Sequence, residues 1–296
     1  MDLPCCVGLL LTQSRGHRKI GRVNIWLALL VIAGVVAVSI AAQIGVGSFA
    51  PRGGFFTDSD RAAGVFGVIG TSFAVLLAFV IFLAFESYGN AREKAGQEAV
   101  AVAELFQIAQ LFAPLERRRL QGDLVCYARS VVKDEWRTMR DRRPSDLVQG
   151  WVARIENDGR NVTVSTPKQS AAYQHWFEAS GERLEGRRGR LAEADPFVPP
   201  LLWVVLILAG LLVLVFMCFY ADPGEPLLVQ ALMIGAVAAI VASGLLTVRF
   251  LDRPYENASG SIKPTAMTRS LGTIERGWMR FEARARIPCD ERGGPV

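Results

Sequence analysis

The reactive side chains of this sequence are few and scattered. His17 and His175 are the only histidines, too few for a histidine-based metal site or dyad. Cys5, Cys6, Cys126, Cys218 and Cys289 show no CxxC spacing and no nearby histidine, so neither a metal site nor a disulfide framework is expected. The adjacent Cys5 and Cys6 read as free thiols on an N-terminal tail, with acylation as the alternative. Carboxylate pairs at Asp134/Glu135 and Glu182/Glu185 have basic neighbours and helical surroundings, so they read as solvated faces or ion pairs rather than as an acid/base couple. GxxxxGK(S/T), GxSxG, HExxH and GxGxxG are all missing, and with them the phosphate-loop, serine-hydrolase, zincin and dinucleotide chemistries. No catalytic residue, metal or cofactor is expected, and the chain does not read as an enzyme.

The elements that must position any other site are apolar. The 296 residues are 51% hydrophobic, and four windows carry no Asp, Glu, Lys or Arg: 23–51, 62–85, 196–221 and 226–248. Each is long enough as a helix to cross a hydrocarbon core of about 30 Å. The expected fold is an all-α integral membrane protein with four transmembrane helices. Its parts are an N-terminal tail (1–22), helices one and two (23–85), a helical cytosolic domain (86–198), helices three and four (199–250) and a C-terminal loop and helix (251–296). A cleaved leader is not expected, because the first apolar run exceeds a signal-peptide core.

Basic residues fix the orientation. Outside the windows, 31 of the 33 Lys and Arg lie in the N-terminal tail, the long middle segment and the C-terminal segment. The positive-inside rule makes that side cytoplasmic, with both termini on it. The middle segment also holds 17 acids, so its basicity does not call for a nucleic-acid partner.

The middle segment divides into amphipathic helices. Pro114 opens one over 115–141, and Arg143-Pro144-Ser145 ends it. A short helix follows over 146–157 with Val148, Trp151, Val152 and Ile155 inward, and Asn157-Asp-Gly159 reads as a turn. Ser165-Thr166-Pro167 caps a helix running to about Ala194. After the fourth window a loop leads to a basic amphipathic helix over 264–284, and 287–296 reads as frayed.

The second window differs from the others because it does not end at the membrane. Helix formers continue from Glu86 with no proline before Pro114, so one helix is expected to leave the bilayer and run on. It opens with Gly64, Gly67 and Gly70, which suit close helix packing in lipid or a thin face against a central axis. Gly235, Ala239 and Ser243 form a similar packing face on the fourth window. Intramembrane charge is lacking, which argues against a coupled transporter. Gln43 and Gln230, near span ends, are the strongest polar groups in the apolar windows.

This layout resembles a known family. Residues 67–88 (GVIGTSFAVLLAFVIFLAFESY), the AREKAGQEA continuation at 91–99, Asp222-Pro223 and Leu251-Asp-Arg-Pro-Tyr255 are similar to the bacterial bestrophin-like domain family. That family has no established function and is distantly similar to the bestrophin channels. The resemblance implies a homo-oligomer, with five copies as in bestrophins, whose second helix lines a pore with a narrow apolar neck. By position, the candidate pore-lining residues are Thr71, Val75, Phe79 and Phe82, a spacing that keeps them on one helix face. Glu86, Arg92 and Lys94 would stand at the inner mouth, and Asp252, Pro254 and Tyr255 form the motif after helix four. The acidic calcium clasp of eukaryotic bestrophins has no counterpart beyond Asp252 and Glu256, so calcium gating is not implied. The expected function is an oligomeric, anion-conducting channel for small ions. The alternative is a non-conducting scaffold or regulator acting through its cytosolic helices.

Overall fold

A computed structural model describes residues 20–49, 51, 55–220, 224–256, 258–282 and 285–296. The cysteines at 5 and 6 and the Asp222-Pro223 pair lie outside the described residues. The described chain is helical, and its single β contact is an isolated bridge between Cys289 and Pro295. In order the helices are α1 (Ile20–Gly47), α2 (Ser59–Ile108), α3 (Pro114–Ser130), α4 (Trp136–Thr138), α5 (Asp146–Arg160), α6 (Pro167–Ala192), α7 (Pro200–Cys218), α8 (Leu227–Leu251) and α9 (Thr265–Phe281). A π-helical turn, Val131–Glu135, joins α3 to α4. Two compact units result: one from residues up to 81 with 200–249 and 257–261, the other from 82–199, 250–256 and 262–296.

The first unit holds apolar helices. Four helices of the described chain are long and apolar enough to cross a membrane: Ile25–Gly47, Ser59–Leu111, Pro200–Cys218 and Leu227–Leu251. Even the shortest, with 19 residues, spans about 29 Å at ~1.5 Å per residue. Their packing depends on glycines. A Cβ on Gly244 of α8 would stand 2.5 Å from Leu77 of α2, and one on Gly210 of α7 would stand 3.0 Å from Val241 of α8. Without side chains at these points the backbones approach closely, which replaces the hydrophobic drive that lipid removes. At Gly235 of α8, Val36 and Ile40 of α1 lie within 3.7 Å of a built Cβ. Ala239 is half-buried and Ser243 exposed.

The second unit is an amphipathic bundle around one core. Ala91, Ala95, Ala99, Val102, Leu105 and Phe106 of α2 pack with Leu120, Leu124 and Tyr127 of α3, and all are buried. Val148, Trp151, Val152 and Ile155 of α5 face the same core, as their spacing predicts. Local capping chemistry sets the starts. Ser145 Oγ accepts from Val148 N at 3.2 Å and Thr166 Oγ1 from Gln169 N at 3.2 Å, while Pro114 and Pro167 sit in first turns.

Three expectations fail here. The Asn157-Asp-Gly159 turn does not form, because α5 runs through it to Arg160. Gly159 instead seats the Trp176 indole, whose Nε1 lies 2.6 Å from where a Cβ would be, so packing overrides a local turn preference. The segment 287–296 is not frayed. Trp151 Nε1 donates to Gly293 O at 2.7 Å, Arg129 Nη1 to Asp290 O at 3.1 Å, and Gly293, at φ +86°, lies against the Ser130 backbone. Finally, Cys126 and Cys289, 163 positions apart, are disulfide-bonded. A pairing made across the fold leaves no mark in local cysteine spacing.

Candidate functional site

One side of α2 is covered by the chain and the other is not. Phe73, Leu77, Val80 and Ala84, then Ala91, Ala95 and Ala99, are buried. At about 100° per residue these all fall on one face. Thr71, Val75, Phe79 and Phe82 fall within a sector of about 80° on the opposite face. All four are exposed, Val75 at 65%, Phe79 at 60% and Phe82 at 63%. Gly64, Gly67 and Gly70 have nothing within 4 Å of a built Cβ. Among the described residues nothing fills the space a side chain would take at these glycines, unlike at Gly210 and Gly244. Thr71, Val75, Phe79 and Phe82 form an exposed, largely apolar row along α2.

The charged residues beyond the row divide. Glu86 and Arg92 are exposed, but Lys94 lies about 140° around the helix from Thr71. Its Nζ bonds Glu185 Oε1 at 2.5 Å and Gln97 Oε1 at 3.1 Å, and Gly189 of α6 leaves room for its stem. The Glu185 hydrogen bond raises the Lys94 pKa. The residues in register with the apolar row are Glu86, Gly89, Glu93, Gly96 and Val100. The exposed side of α2 thus turns acidic after Phe85, and Lys94 takes no part in it.

Gln43 and Gln230, distant in sequence, line the same cavity of about 340 Å³ with Phe66, Tyr220 and Glu225. Gln43 is buried and its Oε1 has no partner among the described residues. Phe66 packs on Phe216 at 5.8 Å and Tyr220 at 5.7 Å.

Sequence reasoning missed a buried ionic cluster in the second unit. Glu98 of α2 accepts from Tyr127 Oη at 2.6 Å and from Arg190 Nε at 2.5 Å. Glu135 accepts from Arg187 Nη2 and Arg190 Nη2, each at 2.6 Å. Arg190 also stacks over Trp136 at 5.1 Å. Burial pushes the Glu135 carboxyl up, but Arg190 and Arg187 more than offset it and hold its pKa below the usual carboxylate range. Burial beside Glu98 raises the Tyr127 pKa and keeps that phenol neutral. Glu135 is therefore an ion-pair residue as expected, but not a solvated one; Glu182 and Glu185 are exposed. The cluster joins α2, α3, the π-helical turn and α6. Every carboxylate oxygen of Glu98 and Glu135 accepts at least one hydrogen bond. No group of His, Cys, Asp and Glu suited to a metal occurs among the described residues.

The family model for the bestrophin-like domain matches residues 33–267. The chain belongs to the bestrophin-like family. Its fold is that of bacterial bestrophins. A single-residue variant of a bacterial bestrophin homolog from Klebsiella pneumoniae superposes with a TM-score of 0.62 at 16% identity, covering 88% of this chain and 100% of that one. A second variant of that homolog gives 0.63 at 17%, covering 88% and 99%. A crystal structure described as a membrane protein gives 0.63 at 16%, with the same coverage. Among curated proteins, nothing matches.

The motif after α8 has a structural role in this bestrophin-like chain. Asp252 Oδ1 accepts from Val198 N at 2.8 Å. Pro254 O accepts from Ile262 N at 2.8 Å. Tyr255 Oη donates to Ala91 O at 2.9 Å, and its ring meets Trp136 edge-on at 5.6 Å. These contacts tie the segment after α8 to α2.

Proposed function

We propose that this bestrophin-like protein is one subunit of an oligomeric ion channel. In it, copies of α2 surround an axis and Thr71, Val75, Phe79 and Phe82 line a hydrophobic neck. The assembly would sit in a bacterial inner membrane, with four spans per subunit and the termini and the 86–198 domain in the cytoplasm. Five copies is the number that the family resemblance implies. One observation carries this reading: among the described residues, the chain buries one face of α2 and leaves the opposite apolar face, with Val75, Phe79 and Phe82, without cover. Apolar rings of this kind gate by dewetting and need no charged filter.

The charge in register with that face supports a second reading of selectivity. The expected anion preference rested on Arg92 and Lys94. Lys94 is neutralised by Glu185, whereas Glu86 and Glu93 are exposed below the row. Rings of carboxylates at an inner mouth concentrate cations.

Purified protein in planar bilayers tests both. Unitary currents are expected, with Phe79→Ala raising conductance by widening the neck. Silent bilayers containing oligomers verified by native mass spectrometry, or a strict monomer, would overturn the channel reading and favour a scaffold. In a sodium chloride gradient, a reversal potential on the chloride side supports the anion reading. One on the sodium side that collapses in Glu86→Gln/Glu93→Gln supports the cation reading.

A further inference from the structure

The buried ionic cluster does not balance. Glu98 and Glu135 supply two carboxylates, and Arg183, Arg187 and Arg190 supply three guanidiniums, all of them buried. Glu98 is taken by Arg190 and Tyr127, and Glu135 by Arg187, Arg190 and the Ser145 amide. The other buried acids of this unit have partners elsewhere. Asp123 faces Arg154 at 3.2 Å, Glu282 bonds Arg117 and Arg118, and Asp252 bonds the Val198 amide. One positive charge is left over, on Arg183.

Arg183 is fully buried at 0% exposure, and none of Nε, Nη1 and Nη2 has a hydrogen-bond partner among the described residues. The face of the Tyr127 ring stands 5.0 Å from its guanidinium carbon. Three positions earlier on α6, Ser180 Oγ is also buried without a partner. Residues at that spacing adjoin on a helix surface.

The chemistry of these four atoms selects a ligand. A guanidinium has five N–H donors and no acceptor, and it does not lose its proton in proteins. A serine hydroxyl can turn its hydrogen toward an acceptor. The constellation therefore offers donors, and what completes it must accept. A water molecule would accept but leave the charge uncompensated in a low-dielectric interior, where an unpaired ion is costly. A divalent anion would overcompensate a surplus of one.

We propose that Arg183 and Ser180 form a buried binding site for one small monovalent anion of the halide class. This site shares no residue with the α2 row, so it stands or falls independently of conduction. The bound anion neutralises Arg183 and joins α6 to the face of α3 that carries Tyr127. It makes the stability of the helical unit depend on halide.

Crystals of the full chain soaked in bromide test this directly. The expected result is an anomalous peak within hydrogen-bond reach of Arg183, and water alone at that position overturns the proposal. Thermal unfolding of the full chain in detergent gives a second readout, with chloride replacing gluconate at fixed ionic strength. A saturable rise in the unfolding midpoint is expected in the wild type. Ser180→Ala, which leaves the charge in place, should need about tenfold more chloride for the same rise. Arg183→Met should lose chloride dependence. If Arg183→Met does not fold, the Ser180→Ala titration decides. A wild-type midpoint indifferent to chloride, or equal chloride dependence in wild type and Ser180→Ala, overturns the site.

Discussion

Charge burial is decided residue by residue in this protein. Asp134 is half-buried and bonds Ser145 Oγ at 2.5 Å, while its neighbour Glu135 is fully enclosed by Arg187 and Arg190. Nothing in two adjacent acids tells them apart. The partners lie 52 and 55 positions away, and only the tertiary fold brings them together. Asp123 is the buried acid with the clearest pH signature. Burial pushes its pKa up to about 7; Arg154 and Arg119 oppose this and Asp158 adds to it. A carboxyl that binds its proton more tightly when folded than when unfolded favours the fold at low pH. That contribution is lost as pH rises from about 4 through about 7, by up to about 4 kcal/mol. Asp123→Asn should therefore leave stability near pH 3 little changed and raise it near pH 8. Denaturation midpoints across that range measure the slope, and a variant whose slope matches the wild type would sink the assignment.

At the scale of elements, most of the fold is readable because local signals agree with tertiary packing. The apolar windows become α1, α7, α8 and the first part of α2, while Pro114, Ser145 and Thr166 mark helix starts as their chemistry predicts. The candidate row on α2 comes from the family resemblance, and its spacing keeps it on one helix face. Its lack of cover was not readable, because a sequence does not say which face the other helices occupy. Lys94 shows the same limit, since a base just past a span looks free until Glu185 is found 91 positions away. Where local and tertiary signals conflict, packing prevails, as at Asn157-Asp-Gly159. Two glycines of α5 make this testable. Gly159→Ala would bring a methyl group to 2.6 Å from Trp176 Nε1, whereas Gly150 has open space. Gly159→Ala should destabilise the protein by about 1–3 kcal/mol. Gly150→Ala should stabilise it by about 0.5–1 kcal/mol. Equal shifts for the two would mean that Gly159 is not a packing residue.

At the scale of the whole molecule, covalent structure and topology bear on each other. The proposed topology, argued from the distribution of basic residues, has the second unit face the cytoplasm, where thiols are kept reduced and disulfides are transient or redox-sensing. Yet Cys126 and Cys289 are joined in that unit. The bond is one of several anchors on the C-terminal segment. Trp151 holds Gly293 O, Arg129 bonds the carbonyls of Cys289 and Asp290, and Asp290 Oδ1 accepts from Arg292 N and Gly294 N. Opening the disulfide should therefore free one attachment and leave the helices folded. Closing a loop this long constrains the unfolded chain, and such bonds contribute about 2–4 kcal/mol. Reduction, or Cys289→Ser, is expected to lower unfolding stability by that amount and to speed proteolysis of 285–296, with helical content unchanged. The same experiment reports on topology. If the unit faces the cytoplasm, protein alkylated inside intact cells before lysis should carry label on both thiols, and the bond should form only on oxidation. Cysteines already paired in such cells would instead place the second unit on the oxidising side, against the positive-inside reading.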